Sequence, residues 1–265
     1  MQGTAGEMAR FIGLSYDEVR YWAAGINHLA WFLRFENAVG EDLYPLFWQT
    51  LDEKGLPEYD RYRYDFARHI GYFMTESSGH FSEYVPYYRK SPETVAEMDG
   101  DGFAGRHGVV LESYHTHWRD HTERVFKLIH GEERIPFGCR SAEYASNIIN
   151  SLETNGLFQL NGNVMNDGLI TNLPPGCCVE VPCLVDSLGI HPCHVGELPP
   201  QCAALDMMNI NVQTLTVQAA LEGDRQKAYH AVLVDPLTSA VLTPKEIRAM
   251  FDELFEANRQ WLPQF

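Results

Sequence analysis

The sequence predicts an α+β fold in which helices pack on an antiparallel sheet, with residues 1–265 as one domain. Three observations carry that expectation. Both ends of the chain show helix-start signals followed by apolar residues at spacings of three and four. The middle, from Leu157 to Val181, alternates apolar and polar residues around an Asp-Gly pair, as antiparallel strands do. No internal repeat or linker divides these segments.

At the N-terminus, Thr4-x-x-Glu7 and Ser15-x-x-Glu18 both fit the capping box, in which a hydroxyl and a carboxylate satisfy orphan amides reciprocally. The first helix is expected to run to Phe11 or Ile12 and stop at Gly13. The second is expected from Tyr16 to Ala24, with Gly25 as its stop. Trp31 to Phe35 reads as a buried strand, although periodicity does not separate it from a helix. Leu43, Leu46, Phe47 and Leu51 recur at helical spacing, and Gly55-Leu56-Pro57 ends that element. Tyr62 to Arg89 is dense in aromatic residues, most of them core. Residues 91–108 read as an exposed, flexible segment.

Ser141 to Leu152 is expected to be a helix with Tyr144, Ile148 and Ile149 inward. Leu157–Leu160 and Val164–Asn166 read as strand, with Asp167-Gly168 as a tight hairpin turn before Leu169-Ile170 and Val179–Val181. Asn163, Asn166 and Asn172 fit turn chemistry. Leu205, Met208, Val212, Leu215 and Ala219 mark a long helix closed by Gly223, and Asp224 to Leu233 a shorter one. Thr243-Pro244-Lys245-Glu246 is a third capping box, opening a helix that buries Ile247, Met250, Phe251, Leu254 and Phe255.

Composition narrows the function classes. Hydrophobic residues at 45% and charged residues at 21% describe a globular chain. A formal charge of −16 argues against a nucleic-acid partner, because phosphate binding needs clustered Lys and Arg. No run approaches the roughly 18 apolar residues of a membrane-spanning helix. The N-terminus shows no secretory signal, so a cytoplasmic location is expected. Five of the six cysteines fall between Cys177 and Cys202, yet no Cys-x-x-Cys pair occurs. In a reducing compartment they read mainly as buried thiols, with a structural metal as the alternative. His117 and His121 share a helical face near His115, but no glutamate follows the first of the pair. A solvated or interface face suits them better than a zinc motif.

His28 stands apart. It follows Gly25-Ile26-Asn27 directly and precedes an apolar, aromatic run, so a backbone bend is expected to hold it. On the residues alone, a structural histidine is the plainer reading and a metal ligand the sharper one. A second candidate region is Thr75-Glu76-Ser77-Ser78 with His80. Polar groups set among aromatics need partners, and an active site is one place that supplies them.

Gly25-Ile26-Asn27-His28 followed by Ala30-Trp31 resembles the metal-histidine motif of glycoside hydrolase family 4, the NAD-dependent glycosidases. Gln2-Gly3-Thr4 is similar to the tail of the Cys-His-Ser-Val-Gln-Gly-Thr motif of the α-galactosidase branch, and Gly71 to His80 to its Gly-Tyr-Phe-Val-Thr-Glu-Ser-Ser-x-His. Asn172-Leu173-Pro174, Val179-Glu180-Val181-Pro182, Gly223-Asp224-Arg225 and Asp235-Pro236-Leu237-Thr238 follow in family order.

The resemblance implies the C-terminal substrate-and-metal domain, similar to the lactate dehydrogenase C-terminal domain, with the N-terminal Rossmann domain missing. No G-x-G-x-x-G turn follows a strand here, and the family's metal-binding cysteine would precede Met1. A possible separate dinucleotide-binding half, a homo-oligomer and an α-glycoside substrate are implied as partners. The implied chemistry is oxidation of the sugar's 3-hydroxyl by NAD, loss of the proton on the neighbouring carbon, elimination, addition of water and return of hydride. A divalent metal, usually manganese, binds the 2- and 3-oxygens. His28 carries over as metal ligand, Tyr72 as candidate base or else a core tyrosine, and Asn27, Glu76, Ser78 and His80 as candidate sugar contacts. Alternatives are an α-glucosidase, α-galacturonidase or glucuronidase of the same family, and a non-catalytic remnant or subunit.

Overall fold

A computed structural model describes residues 2–99, 107–135, 143–262 and 265 of the chain. The N-terminal helix α1 (Gln2–Phe11) begins earlier than its hydroxyl signal suggested. Thr4 lies inside it and donates its hydroxyl to the Thr75 carbonyl (2.6 Å) instead of capping. The Ser15–Glu18 capping box does form, but it closes only one turn of 3-10 helix over Tyr16–Glu18. The next element is a strand, β1 (Val19–Ile26), where a helix to Ala24 was expected. It turns directly into β2 (Leu29–Asn37), and the pair is antiparallel from Val19↔Asn37 to Ile26↔Leu29. Cross-strand pairing overrides the local start signal, and Val19, Tyr21 and Trp22 suit a strand.

Gly25 therefore sits within the sheet and stops nothing. A Cβ there would lie 2.5 Å from the Leu29 carbonyl oxygen, 2.6 Å from the Ala30 Cα and 3.1 Å from Asp206 Oδ2. The residue is glycine because two backbones and a buried carboxyl meet at that point.

Three helices come next: α2 (Tyr44–Lys54), α3 (Arg61–Ile70) and α4 (Ser78–Tyr84). After them stand α5 (Pro92–Asp99), part of the stretch expected to be irregular, and α6 (His107–Ile129). His117 and His121 are exposed on α6, while the side chain of His115 lies outside the described residues, as does Cys139. Helix α7 (Ala145–Thr154) packs Tyr144 and Ile148 against the core, but Ile149 faces solvent.

The sheet resumes with β3 (Phe158–Met165), β4 (Cys178–Asp186) and β5 (Gly189–Pro192), and both β3 and β5 pair antiparallel with β4. Its order is β2-β1-β4-β3, with β5 also on β4, and Gly25 of β1 registers with Glu180 of β4. Asp167-Gly168 turns the chain without closing a two-residue hairpin, because the ladder ends at Met165↔Cys178. The intervening loop is organised by buried Asn166, whose amide donates to the carbonyls of Ile170, Leu173 and Pro174. Among the described cysteines all are free thiols, with Cys183 and Cys202 buried and Cys178 exposed.

Four helices complete the chain: α8 (Pro200–Glu222), α9 (Arg225–Val234), α10 (Pro236–Val241) and α11 (Pro244–Ala257). The Thr243–Glu246 capping box forms as expected. Helix α11 buries Ile247 and Phe251, whereas Leu254 is exposed.

Two apolar layers sandwich β1 and β2. One joins Ala24, Ile26, Leu29 and Trp31 to α3, α4, β4 and α8; the other joins Ala23, Phe32 and Phe35 to α1 and α2. Successive side chains point to opposite faces, so a hairpin buried on both sides reads as a continuous apolar run. No described helix is long and apolar enough to cross a membrane.

Candidate functional site

The β1–β2 hairpin closes through Asn27-His28 alone, and His28 takes φ +65°. The left-handed region costs a non-glycine residue on the order of 1 kcal/mol. The expected bend is real, but it lies at His28 itself and not at Gly25.

The outer edge of β2 then positions the second group. Phe32 donates its amide to the Phe73 carbonyl (2.8 Å), and Thr75 donates to the Ala30 carbonyl (2.9 Å). With Trp31 bridged to Met74, residues 73–75 run antiparallel beside β2. Continuing that register by one residue sets Glu76 beside the hairpin turn. Its Oε2 lies 3.3 Å from His28 Nδ1, and its Oε1 lies 3.4 Å from His80 Nδ1 on the first turn of α4. The His28 and His80 rings meet edge to face at 4.6 Å between centroids.

Proximity is not the same as satisfaction here. His28 Nδ1 is buried and has no hydrogen-bond partner; Glu76 is near enough to attract it but not aligned to accept from it. Among the described residues, His28, Glu76 and His80 form the one group of three whose ligand-type atoms lie within 4.8 Å of one another. Burial pushes the Glu76 carboxyl upward, but the Ser77 amide and the two imidazoles outweigh it and hold the acid below its ordinary value. A carboxylate between two imidazoles, one with an orphaned nitrogen, suits a divalent cation bound by mixed nitrogen and oxygen ligands.

The remaining sequence candidates separate. Asn27 shares the turn with His28. Ser78 is buried, and its hydroxyl donates to Asp60 while accepting from the Arg63 amide. The structure thus gives the Ser78 hydroxyl partners inside the protein. Tyr72 is half-buried, with its ring edge-on to Tyr44 at 6.3 Å, and among the described residues no hydrogen bond joins it to the histidine group.

The tyrosine that does face the group is Tyr84, which the sequence motifs did not single out. Its ring lies parallel to that of His28, 8° apart at 5.7 Å. Asn209 of α8 donates to the Tyr84 carbonyl (3.0 Å) and fixes that end of α4. Glu76, His80 and Tyr84 recur every four residues, a spacing that puts His80 and Tyr84 on one helical face and could have flagged the tyrosine. Burial, with the charges of Glu83 and Glu76, raises its phenol above the ordinary range.

Behind the hairpin lie two further acids. Burial pushes Glu180, the register partner of Gly25, up to about 7, and the Glu76 charge adds to it. Asp206 is fully buried; its Oδ1 accepts from the Trp31 indole (3.0 Å), its Oδ2 has no partner, and burial pushes its carboxyl well above the usual range. A separate open groove of about 870 Å³ is lined by Phe66, Ile70, Tyr87, Leu205 and Met208, and none of the residues of the histidine group faces it.

Residues 23–238 match the family 4 glycosyl hydrolase C-terminal domain. The chain is 39% identical over 264 residues to an α-galactosidase of Bacillus subtilis (strain 168), covering 98% of this chain and 59% of that protein. It is 36% identical over 272 residues to an α-galactosidase of Rhizobium meliloti (strain 1021), covering 100% of this chain and 55% of the relative. The fold is shared with a putative glucosidase, lplD, of Bacillus subtilis (TM-score 0.79, 23% identity, 95% of this chain and 60% of that one). It is also shared with a 6-phospho-α-glucosidase from gut microorganisms, solved with NAD and Mn2+ (TM-score 0.70, 20% identity, 97% and 59%). The chain therefore spans a little over half the length of these proteins. The hairpin histidine, the ordered motifs and the match over most of the sequence agree: this chain belongs to glycosyl hydrolase family 4, through its C-terminal domain.

Proposed function

We propose that residues 1–265 are the substrate-and-metal part of an NAD- and manganese-dependent glycosidase, acting on α-galactosides once a dinucleotide-binding part is present. The observation that carries the reading is the His28–Glu76–His80 group beside a histidine held at positive φ. A divalent cation bound there would polarise sugar hydroxyls as a Lewis acid, and NAD would accept the hydride.

The chain's own residues then have separate tasks. His28, Glu76 and His80 would hold the cation, His28 through the nitrogen that now lacks a partner. Asn27, on the same turn, can offer its amide to a sugar hydroxyl. Tyr84, stacked on His28, is preferred to Tyr72 as the candidate base; its phenol, raised by burial, would need the cation's charge to lower it. Glu180 and Asp206 lie behind the hairpin, both with carboxyls raised by burial. The higher identity to two α-galactosidases, 39% and 36%, than to an α-galacturonidase and a maltose-6'-phosphate glucosidase, both 26%, favours a galactoside over a uronate or a 6-phosphate.

The test is reconstitution. Co-expressed with a dinucleotide domain ending in Cys-His-Ser, the chain should cleave an aryl α-galactoside only with NAD and manganese. Product made in heavy water should carry deuterium at carbon 2, because elimination exchanges that proton. Hydrolysis by paired carboxylates stays at carbon 1 and would leave it unlabelled. Unlabelled product would defeat the reading.

A further inference from the structure

We propose that the buried pair Asp60–Arg63, reaching Ser78 on one side and Thr4 on the other, is a positioning clamp that fixes Glu76 and His80 opposite His28. The proposal rests on the metal-site reading above and extends it to residues that touch neither metal nor sugar.

The geometry is explicit. Asp60, Arg63 and Ser78 are each 3% exposed or less. Asp60 Oδ1 accepts the Ser78 amide (3.2 Å) and the Ser78 hydroxyl, at the start of the helix that carries His80 and Tyr84. Arg63 Nε donates to both Asp60 oxygens (2.9 and 2.8 Å), and Arg63 Nη2 donates to Glu7 of α1 (2.8 Å). Arg63 Nη1 reaches the Thr4 hydroxyl (3.4 Å), which donates to the Thr75 carbonyl (2.6 Å). The guanidinium also lies over the Phe73 ring at 5.1 Å. Residues Thr75 and Ser78 are thus tied down on either side of Glu76, and both ties lead to α1.

Stability alone explains such a network poorly. Burying two charges costs as much solvation as the pair returns, and well-packed apolar residues often do as well or better. What apolar residues cannot supply is directional anchoring of one amide, one hydroxyl and one carbonyl around a single carboxylate-bearing residue. Outer-shell hydrogen bonds of this kind orient ligating side chains and set metal affinity.

The experiment uses this chain and measures free Mn2+ by electron paramagnetic resonance at one fixed pH. Ser78→Ala and Thr4→Val are compared with Thr50→Val, whose buried hydroxyl only donates within α2 to the Leu46 carbonyl. Thr4→Val is the second variant should Ser78→Ala fail to fold. The clamp predicts that either of the first two weakens Mn2+ binding by about tenfold or more, at a temperature well below its melting point, while Thr50→Val does not. Affinity within twofold of the parent in a folded Ser78→Ala or Thr4→Val would overturn it. If the parent itself binds no Mn2+, the metal reading fails and the clamp is judged on structure alone. Interproton contacts between the His28 and His80 rings, 4.6 Å apart by centroid, should then disappear in Ser78→Ala or Thr4→Val and persist in Thr50→Val. Their survival at parental strength would refute the clamp.

Discussion

Gly25→Ala should unfold the site from within the sheet. The added methyl would sit 2.5 Å from the Leu29 carbonyl oxygen and 2.6 Å from the Ala30 Cα, both backbone atoms that cannot rotate away. Ordinary contact needs roughly 3.4 Å or more, so β1 must part from β2 by most of an ångström. Neither direction is free, because Gly25 pairs with Ala30 on one side and with Glu180 on the other. Overpacking of this kind costs about 1–3 kcal/mol, and a φ of +157° adds backbone strain for an L-residue. The sum is on the order of 3–5 kcal/mol, a large part of the stability of a typical domain. Urea unfolding followed by tryptophan fluorescence reads it directly, since Trp31 sits in the disturbed strand. A loss below about 0.5 kcal/mol, the scale of an ordinary surface substitution, would show that the hairpin can breathe and that the close approach is not structural.

Three further outcomes rest on the same geometry. Glu180 is held up to about 7 by burial, so its neutral form suits the folded state: the stabilisation is complete below the ordinary value of 4.5 and is lost as pH rises through about 7. Glu180→Gln should therefore gain on the parent by on the order of 2 kcal/mol between about pH 5 and about pH 8; parallel pH profiles in chemical denaturation would contradict this. In the reconstituted enzyme, Tyr84→Phe should lower turnover by about 10²–10⁴-fold and Tyr72→Phe by little; the reverse ranking in steady-state assays would return the base to Tyr72. Thr243→Ala removes the hydroxyl that accepts from the Glu246 amide, leaving the Thr243 amide on the Glu246 carboxylate, and should cost about 1 kcal/mol, seen as a melting-temperature drop of about 2–4 °C.

The parts of this fold that could be read in the sequence are those written locally. The Thr243 capping box, the Gly223 stop and the helical spacing from Leu205 onward need only near neighbours, and the helices stand where they were expected. The Ser15–Glu18 box was equally genuine, yet a capping box reports on one turn and says nothing of the next residue. Whether Val19 onward continues as helix or pairs as strand depends on β2 and β4, one of them more than a hundred residues away. The same reason hid two features of the site. Ser78 looked like a free hydroxyl because its partner, Asp60, lies 18 residues earlier in a different element. Tyr84 looked like one aromatic among many until His28, brought over by the hairpin, was stacked on it. His28, Glu76 and His80 were recognised through motif resemblance, while their convergence comes from the register of residues 73–75 along β2.

The central claim is a place, the space between His28, Glu76 and His80, and diffraction can locate it. Crystals of the chain grown with MnCl2 and measured at the manganese absorption edge should show an anomalous peak within about 2.0–2.4 Å of a His28 ring nitrogen, a Glu76 oxygen and a His80 nitrogen, the range of first-row metal–ligand bonds. His28→Ala should abolish that peak. A peak elsewhere, such as at exposed His117 and His121 on α6, or one at the turn that survives His28→Ala, would contradict the account.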